Sequence, residues 1–311
     1  MTTSIVIATY NGEKYIEEQI CSLLSQTKLP DEIVICDDCS GDATLEKIKK
    51  CLDGTLIPYK FICHKRNLGV YRSFYDGLQK ASGEIIFFCD QDDFWHSDKV
   101  EKFVAEFEKD KGTALVLSNA EIVGQDLSKT GKTLWKTLNF SVQSDLFSEM
   151  LRRNIFTGMC MASRREFLTN HLKVSKNMLH DEYIGWISLF FGKVKILNLT
   201  LAKYRQHANN VVGSSRRKKF TSITSMRQQV KASSILKREK FKELLDIVED
   251  SNFYKSIEKA YIFYNYRVLI FEEGKIKGLI SFFKKNISGE YSKYTSKTEH
   301  ARFKDLLCIL L

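Results

Sequence analysis

Between Thr3 and Cys89 the chain alternates short apolar runs with longer stretches in which apolar residues recur every three or four positions. Ser4–Thr9, Glu32–Cys36, Tyr59–Cys63 and Glu84–Cys89 are rich in Ile, Val and Phe and read as strands. The stretches between them predict helices. Asn11 is placed to cap one that runs through Gln26, with Ile16, Ile20, Leu23 and Leu24 on a shared face. Ser40 or Asp42 is placed to cap a second, with Leu45 and Ile48 inward, and Ser73–Ala81 forms a third. Repeated β-α-β units imply right-handed crossovers and a mostly parallel central sheet covered on both faces. In such sheets ligands gather beyond the carboxyl ends of the strands. The polar clusters Thr9-Tyr10-Asn11, Asp37-Asp38, Asn67 and Asp90–Asp93 all fall there. Their convergence on one edge is the main argument for a nucleotide site.

Further on, Ser97–Lys109 reads as a charged amphipathic helix, Ala114–Ser118 as a strand and Glu121–Thr133 as a hairpin. Residues 134–160 carry mixed signals, ending in a loop from Asn154 that runs into a buried strand at Met161. His180-Asp181 precedes a helix with Ile184, Ile187 and Phe191 on one face; Val194–Leu199 is a strand, followed by Tyr204-Arg205-Gln206-His207. From Ser214 the pattern is almost wholly helical. The expected division is a domain over 1–213, with halves of about 1–118 and 119–213, and a helical region over 214–311.

Composition sharpens this picture. At 311 residues, 43% hydrophobic and 28% charged, the chain is expected to be a soluble globular protein of one domain plus an appendage. No apolar run approaches the roughly 18 residues that span a bilayer, and the opening residues lack a signal-peptide layout. A cytoplasmic chain is therefore expected, its eight scattered cysteines reduced and mostly in the core. Cys36-x-x-Cys39 has no second pair with which to hold zinc. Residues 214–311 hold 21 Lys/Arg against 11 Asp/Glu, which accounts for the whole net charge of +10. Within them, after the apolar and aromatic residues Phe253 to Phe271, Lys275–Lys285 reads as a basic amphipathic helix. Two readings stand: peripheral contact with an anionic membrane, or a packed bundle with its lysines in solvent. No nucleic-acid motif accompanies the charge, which sets that partner aside.

The acids Asp90, Asp92 and Asp93 close the fourth strand. Like charges there repel and lose hydration. A divalent cation, Mn²⁺ or Mg²⁺, would cancel the repulsion and keep positions open for phosphate oxygens; a solvated acidic turn is the plainer alternative. Tyr10 has the position to stack on a base or to sit half-buried at a strand end. Asp38 suits a pyrimidine N3–H or a ribose hydroxyl, or an Asx turn with Ser40. Neither a G-x-x-x-x-G-K-[ST] loop nor G-x-G-x-x-G is present, so phosphate-loop and dinucleotide-binding readings lose their main support.

Ile7-Ala8-Thr9-Tyr10-Asn11-Gly12, Asp37-Asp38-Cys39-Ser40-Gly41-Asp42-Ala43-Thr44, Asn67-Leu68-Gly69 and Gly83-Glu84 leading to Asp90-Gln91-Asp92-Asp93 together resemble the family 2 inverting glycosyltransferases. The resemblance covers about 1–213 and implies the GT-A fold, an α/β sandwich that binds nucleotide-diphospho-sugars, with the helical region appended. His180-Asp181-Glu182-Tyr183 and Tyr204-Arg205-Gln206-His207-x-x-Asn210-x-x-Gly213 resemble the bacterial rhamnosyltransferase-like branch. Cys39 stands where Gly or Asn is commoner, and Gln91 is expected to point away from the metal.

The resemblance implies a role for each residue. Thr9, Tyr10, Asn11 and Asp38 would hold the base and ribose, with Asn67 nearby. Asp90 would approach the ribose or the metal, and Asp92 would ligate a metal that bridges the donor's phosphates. Asp181 would be the general base, or else the N-cap of its helix. His207 would bind metal or phosphate and Arg205 the diphosphate, while Trp95, Trp186, Thr157 and Gly158 would border the acceptor. The implied activity is transfer of L-rhamnose from dTDP-rhamnose onto a bacterial cell-surface or capsular polysaccharide; a lipid-linked acceptor would suit membrane contact of the basic tail, and homo-oligomers through the C-terminal helices are a further option. Another hexose or HexNAc from a UDP-sugar, a sugar-nucleotide nucleotidyltransferase and a non-catalytic binding protein are the alternatives.

Overall fold

The computed structural model describes residues 1–207, 223–249, 251–270 and 275–310. Asn210, Gly213, the basic run Arg216–Lys219 and Phe271 lie outside the described residues. The chain divides into two compact units, one of residues 1–143, 155–175 and 179–214, the other of 144–154, 176–178 and 215–311. The second unit thus takes in two short segments from the middle of the sequence.

The first unit begins with β1 (Thr3–Thr9), α1 (Ile16–Leu24), β2 (Glu32–Asp37), α2 (Thr44–Leu52), β3 (Tyr59–Cys63), α3 (Val70–Lys80) and β4 (Ile85–Asp90). The strands lie in the order β3-β2-β1-β4, all parallel. β1 and β2 are buried along their whole length, and β4 up to its last residue. Burial on both faces is why they read as continuous apolar runs instead of alternating ones. Edge strand β3 is only partly covered. Gly77 lets α3 lie against β1, since a Cβ there would come within 2.3 Å of Val6 Cγ1. Register pairs Thr9 with Asp37, Asp37 with Cys63 and Ala8 with Asp90, so the polar ends meet on one edge as expected.

Beyond β4 the sheet is mixed. β5 (Phe94–Trp95), α4 (Lys99–Lys109), β6 (Thr113–Val123), β7 (Lys129–Thr133) and α5 (Leu134–Leu138) come next. After α6 (Leu146–Arg152), in the second unit, the first unit continues with a 3₁₀ turn (Gly158–Cys160), β8 (Met161–Arg164), α7 (Arg165–His171), α8 (His180–Phe191) and β9 (Lys193–Arg205). β8 is antiparallel to β4 and β6, β9 is parallel to β6 but antiparallel to β5, and β7 forms a hairpin with β6. β4 ends the wholly parallel run, since its other neighbour β8 is antiparallel, and beyond it only β6 and β9 pair in parallel among the described residues. The parallel character expected from the β-α-β repeat is therefore concentrated in the first half.

The second unit holds α6 with α9 (Ile223–Ile247), α10 (Tyr254–Leu269), α11 (Lys275–Ile287), α12 (Glu290–Tyr294) and α13 (Thr298–Leu310). Its core is aromatic: Phe241 stacks on Tyr264, and Phe263 meets Tyr291 and Tyr294. Arg267 forks onto buried Asp305 with two 2.7 Å bonds, a paired arrangement that offsets the cost of burying both charges. α11 buries Gly278 and Phe282 and leaves Lys277, Ile280, Phe283, Lys284 and Ile287 exposed. No helix among the described residues is long and apolar enough to cross a membrane.

Candidate functional site

The loops at the carboxyl ends of the strands are tied to one another. Thr9 Oγ1 donates to Asp37 Oδ1 at 2.8 Å, and both residues are buried. The Thr9 hydroxyl therefore clasps β1 to β2 and is not an open nucleotide contact. Asn11 does not cap α1. It adopts a φ of 48°, its Oδ1 accepts from the Gly41 N–H at 2.9 Å, and its own N–H donates to Ser40 Oγ at 2.9 Å. Gln91 exchanges two bonds with the Tyr10 backbone, at 2.8 and 3.0 Å, and so joins the β1 and β4 loops. The Tyr10 residue remains 47% exposed, open to a stacking partner. Cys39 takes the left-handed φ of 69° that Gly or Asn fills more cheaply.

The Asx turn expected of Asp38 is made by Asp37, which receives Ser40 N at 2.8 Å and Ser40 Oγ at 2.6 Å. Asp38 is turned to the other side. Its Oδ1 accepts from His64 Nδ1 at 2.8 Å and Leu68 N at 2.7 Å, and its Oδ2 from Gly69 N at 2.8 Å. Asn67, just before this turn, is exposed. The N-cap of α2 is Ala43, and neither Ser40 nor Asp42 holds that position; Asp42, one residue before it, accepts the Thr44 N–H at 3.0 Å.

At the end of β4, Asp90 is pushed up to about 7 by burial first and then by the charges of Asp92 and Asp181. Asp181 lies in the first turn of α8, with Leu179 as the N-cap, so the expected position before the helix moves inside it. A carboxylate there gains from the helix dipole, and its charge acts on Asp90 from a separate element. Asp93 is fully buried, accepts the Arg205 N–H on Oδ1 at 2.9 Å, and leaves Oδ2 without a partner. Burial, then Asp92 and Asp90, raise it well above the carboxylate range.

Asp92 Oδ2 lies 2.8 Å from His207 Nε2, and Tyr15 stacks on that imidazole with centroids 4.8 Å apart. Neighbouring corners of an octahedron with bonds of about 2.1 Å are ~3 Å apart, so this oxygen and nitrogen are spaced as two adjacent ligands of one cation. No group of three or more His, Cys, Asp or Glu side chains able to hold a metal occurs among the described residues. The pair would leave positions for substrate oxygens and water.

Several expected contacts have other roles. The Arg205 side chain is 1% exposed. Its Nε donates to the Asp92 carbonyl at 2.7 Å, Nη2 to Glu18 Oε2 at 2.5 Å and Nη1 to the Gln125 carbonyl. It is a clamp beneath Asp92, with three of its five N–H donors on protein oxygens. Trp95 and Trp186 are fully buried and pack in the core, away from any acceptor. Gly158 is buried against His180, whose Nε2 would lie 2.6 Å from an added Cβ; half-buried Thr157 gives its carbonyl to the Cys160 N–H at 2.8 Å. These two shape the 3₁₀ turn.

Sequence reasoning missed Lys99 and His64. Lys99 is fully buried, with its Nζ 3.5 Å from the Trp95 ring centroid and donating to the Met159 carbonyl. Burial pulls it down to about 8. Its spacing from Phe103 (i, i+4) puts it on the inward stripe of α4, a signal legible in the sequence.

Residues 4–172 match the model of Glycosyl transferase family 2. Uncharacterized proteins of Mycobacterium bovis and Mycobacterium tuberculosis are 28% identical over 214 residues, covering 67% of this chain and 60% of theirs. The chain thus spans about 60% of the length of those relatives. The Escherichia coli protein named UDP-Glc:alpha-D-GlcNAc-diphosphoundecaprenol beta-1,3-glucosyltransferase WfaP is 30% identical over 241 residues, 75% of this chain and 85% of that one. The crystal structure of S. aureus TarS 1-349 in complex with UDP-GlcNAc has a TM-score of 0.58 at 16% identity, over 99% of this chain and 89% of that one. That likeness concerns the fold, which is of the GT-A type. The matched segment runs from β1 through the acidic motif to the end of α7, and by it the chain belongs to glycosyl transferase family 2.

Proposed function

We propose that the chain transfers a sugar from a nucleoside-diphosphate donor to a hydroxyl of a glycan acceptor, with inversion at the anomeric carbon. The observation that carries this reading is that Asp92, paired with His207, and Asp181, on α8, are two carboxylates on separate elements whose charges both act on Asp90. An inverting displacement needs a base that takes the acceptor's proton and, apart from it, a group that receives the leaving diphosphate. Asp181 fits the first task, its position fixed by the first turn of α8. The Asp92–His207 donor set fits Mn²⁺ or Mg²⁺, which when bound would offset the charge of the departing diphosphate. Arg205 and Gln91 hold the acidic loop in place, and exposed Tyr10 with Asp38 offers a stacking face and an acceptor for a pyrimidine base.

UDP-hexose or UDP-HexNAc is the first donor to test, because the named relative and the solved structure both carry uridine donors in their names. dTDP-rhamnose, favoured by the Tyr204–His207 motif, is the second. A lipid-linked acceptor follows from the same relative's name. It suits a chain whose α11 presents Ile280, Phe283 and Ile287 beside Lys277 and Lys284, as an anionic bilayer surface would require.

The deciding experiment titrates UDP, dTDP and GDP into the full chain with and without Mn²⁺, alongside Asp92→Ala. The reading expects one nucleotide to bind in a metal-dependent way and the variant to lose the metal's contribution. Equal binding by Asp92→Ala in Mn²⁺ would remove the metal site from the account, and no binding of any nucleotide would remove the donor site.

A further inference from the structure

Two carboxylates grip one imidazole from opposite sides. His64 follows β3 directly, and its backbone N–H donates to the Asp37 carbonyl at 2.9 Å. Its Nδ1 lies 2.8 Å from Asp38 Oδ1 and its Nε2 3.2 Å from Asp76 Oδ2. An ionised carboxylate can only accept, so Nδ1 carries the proton that faces Asp38, while Nε2 also lies 3.6 Å from Cys36 Sγ. Asp76, on α3, is in turn held by Arg72 Nε at 2.7 Å. The His64 and Asp38 side chains are 7% and 4% exposed, whereas that of Arg72 is 47% exposed. The contacts therefore run from a solvated guanidinium to a carboxylate nearly sealed from water.

A carboxylate has about four acceptor positions. His64 and the Leu68 N–H take those of Asp38 Oδ1, and the Gly69 N–H takes one on Oδ2. One position on Oδ2 is left. We propose that His64 is a positioning residue of the donor site: it fixes the Asp38 carboxylate so that this last position serves the nucleotide. Through Asp38 it also holds the Leu68–Gly69 turn beside Asn67. The inference rests on the reading of Asp38 as a nucleotide contact. Without the ring's donation the carboxylate can turn about its own axis and exchange its oxygens, and the turn loses its charge-assisted anchor.

Two near-isosteric variants of the full chain separate this from mere packing. Asn carries its amide nitrogen near the Nδ1 position and Gln near the Nε2 position. His64→Asn therefore keeps the bond to Asp38 and gives up that to Asp76, and His64→Gln does the reverse. UDP, dTDP and GDP are titrated calorimetrically in Mn²⁺. His64→Gln is expected to raise the Kd of the bound nucleotide about tenfold, the scale of one hydrogen bond to a charged group, and His64→Asn less than about threefold. Donor KM rises in the same order, while kcat at saturating donor holds. A ring that only packs would lower Tm in both variants and leave Kd alone. Equal Kd in wild type and His64→Gln, or equal loss in both variants, overturns the proposal while the donor site stands. A wild-type chain that binds none of the three nucleotides overturns the donor-site reading and this proposal with it.

Discussion

Replacing Arg205 with Met tests whether this side chain is a clamp or a ligand. The variant keeps much of the aliphatic volume and removes the guanidinium. The carbonyls of half-buried Asp92 and exposed Gln125 then lose their donors, at about 1 kcal/mol each, the low end for an acceptor that water can reach. Glu18, whose side chain is 53% exposed, recovers water and contributes at most about 1 kcal/mol. The guanidinium also lies 4.6 Å from the Tyr15 ring centroid, a contact worth about 0.5–2 kcal/mol. A loss of about 3 kcal/mol is expected. At about 2–4 °C per kcal/mol for a domain of this size, Tm falls on the order of 10 °C, as read by circular dichroism. Arg205→Lys keeps a charge but not the planar fork and should lie between the two. Calorimetry at a temperature where the variant is folded completes the test. An Arg205→Met protein with wild-type Tm and no affinity for nucleoside diphosphate would refute the clamp and return Arg205 to the diphosphate.

Three further expectations follow from named contacts. Asp181→Asn should keep nucleotide affinity and lower turnover by at least about 10²-fold; full turnover, followed by nucleoside diphosphate release, would remove Asp181 from the chemistry. Burial alone would raise Glu32, but hydrogen bonds from Lys60, Ser4 and Ser82 outweigh it and draw the carboxyl from 4.5 down to about 2. Its stabilisation is therefore present above pH 4.5 and disappears as the pH falls toward about 2. Glu32→Gln should accordingly flatten the acid limb of Tm against pH, and an unchanged limb would count against that network. Ile287 is 85% exposed on α11, so Phe283→Asp with Ile287→Asp should reduce flotation with anionic vesicles. If the wild-type chain floats no better than this variant, the exposed face belongs to some other partner.

The parallel half of the fold was legible because strands buried on both faces leave an unbroken apolar signature that ends abruptly in polar residues. The other half was not. β9 extends through Leu201, Ala202 and Arg205, whereas its apolar signal stops at Leu199, because lysines and threonines on a partly exposed strand hide its length. Asp92 and His207 lie together, and Asp181 acts on Asp90 from another element. Arg205 and Trp95 are buried, which was not legible, since a sequence cannot distinguish a sealed guanidinium from one facing a ligand. His64 gave no local signal: Asp38 and Asp76, 26 and 12 residues away, sit on other elements, and only the register of β2, β3 and α3 brings them together.

The acids that close β4 do not behave as three like charges facing solvent, which changes what a cation would do there. Asp93 turns inward to the Arg205 N–H, and its burial favours the neutral carboxyl. Lys99, drawn down to about 8, still carries most of its charge at neutral pH and lies within electrostatic reach of Asp93 and Asp90. Asp90, at about 7, is only partly ionised there. Without a cation, protonation thus holds the outward charge below what three carboxylates suggest. A cation at Asp92–His207 gains mainly from the phosphates it would meet. Metal and nucleotide should therefore bind with positive coupling, each raising the other's affinity by the same factor. Mn²⁺ titrated alone should bind more weakly than Mn²⁺ titrated in saturating UDP, or in whichever nucleotide binds. Equal metal affinity with and without nucleotide would mean that the protein alone supplies a complete cation site, contrary to the charge distribution described.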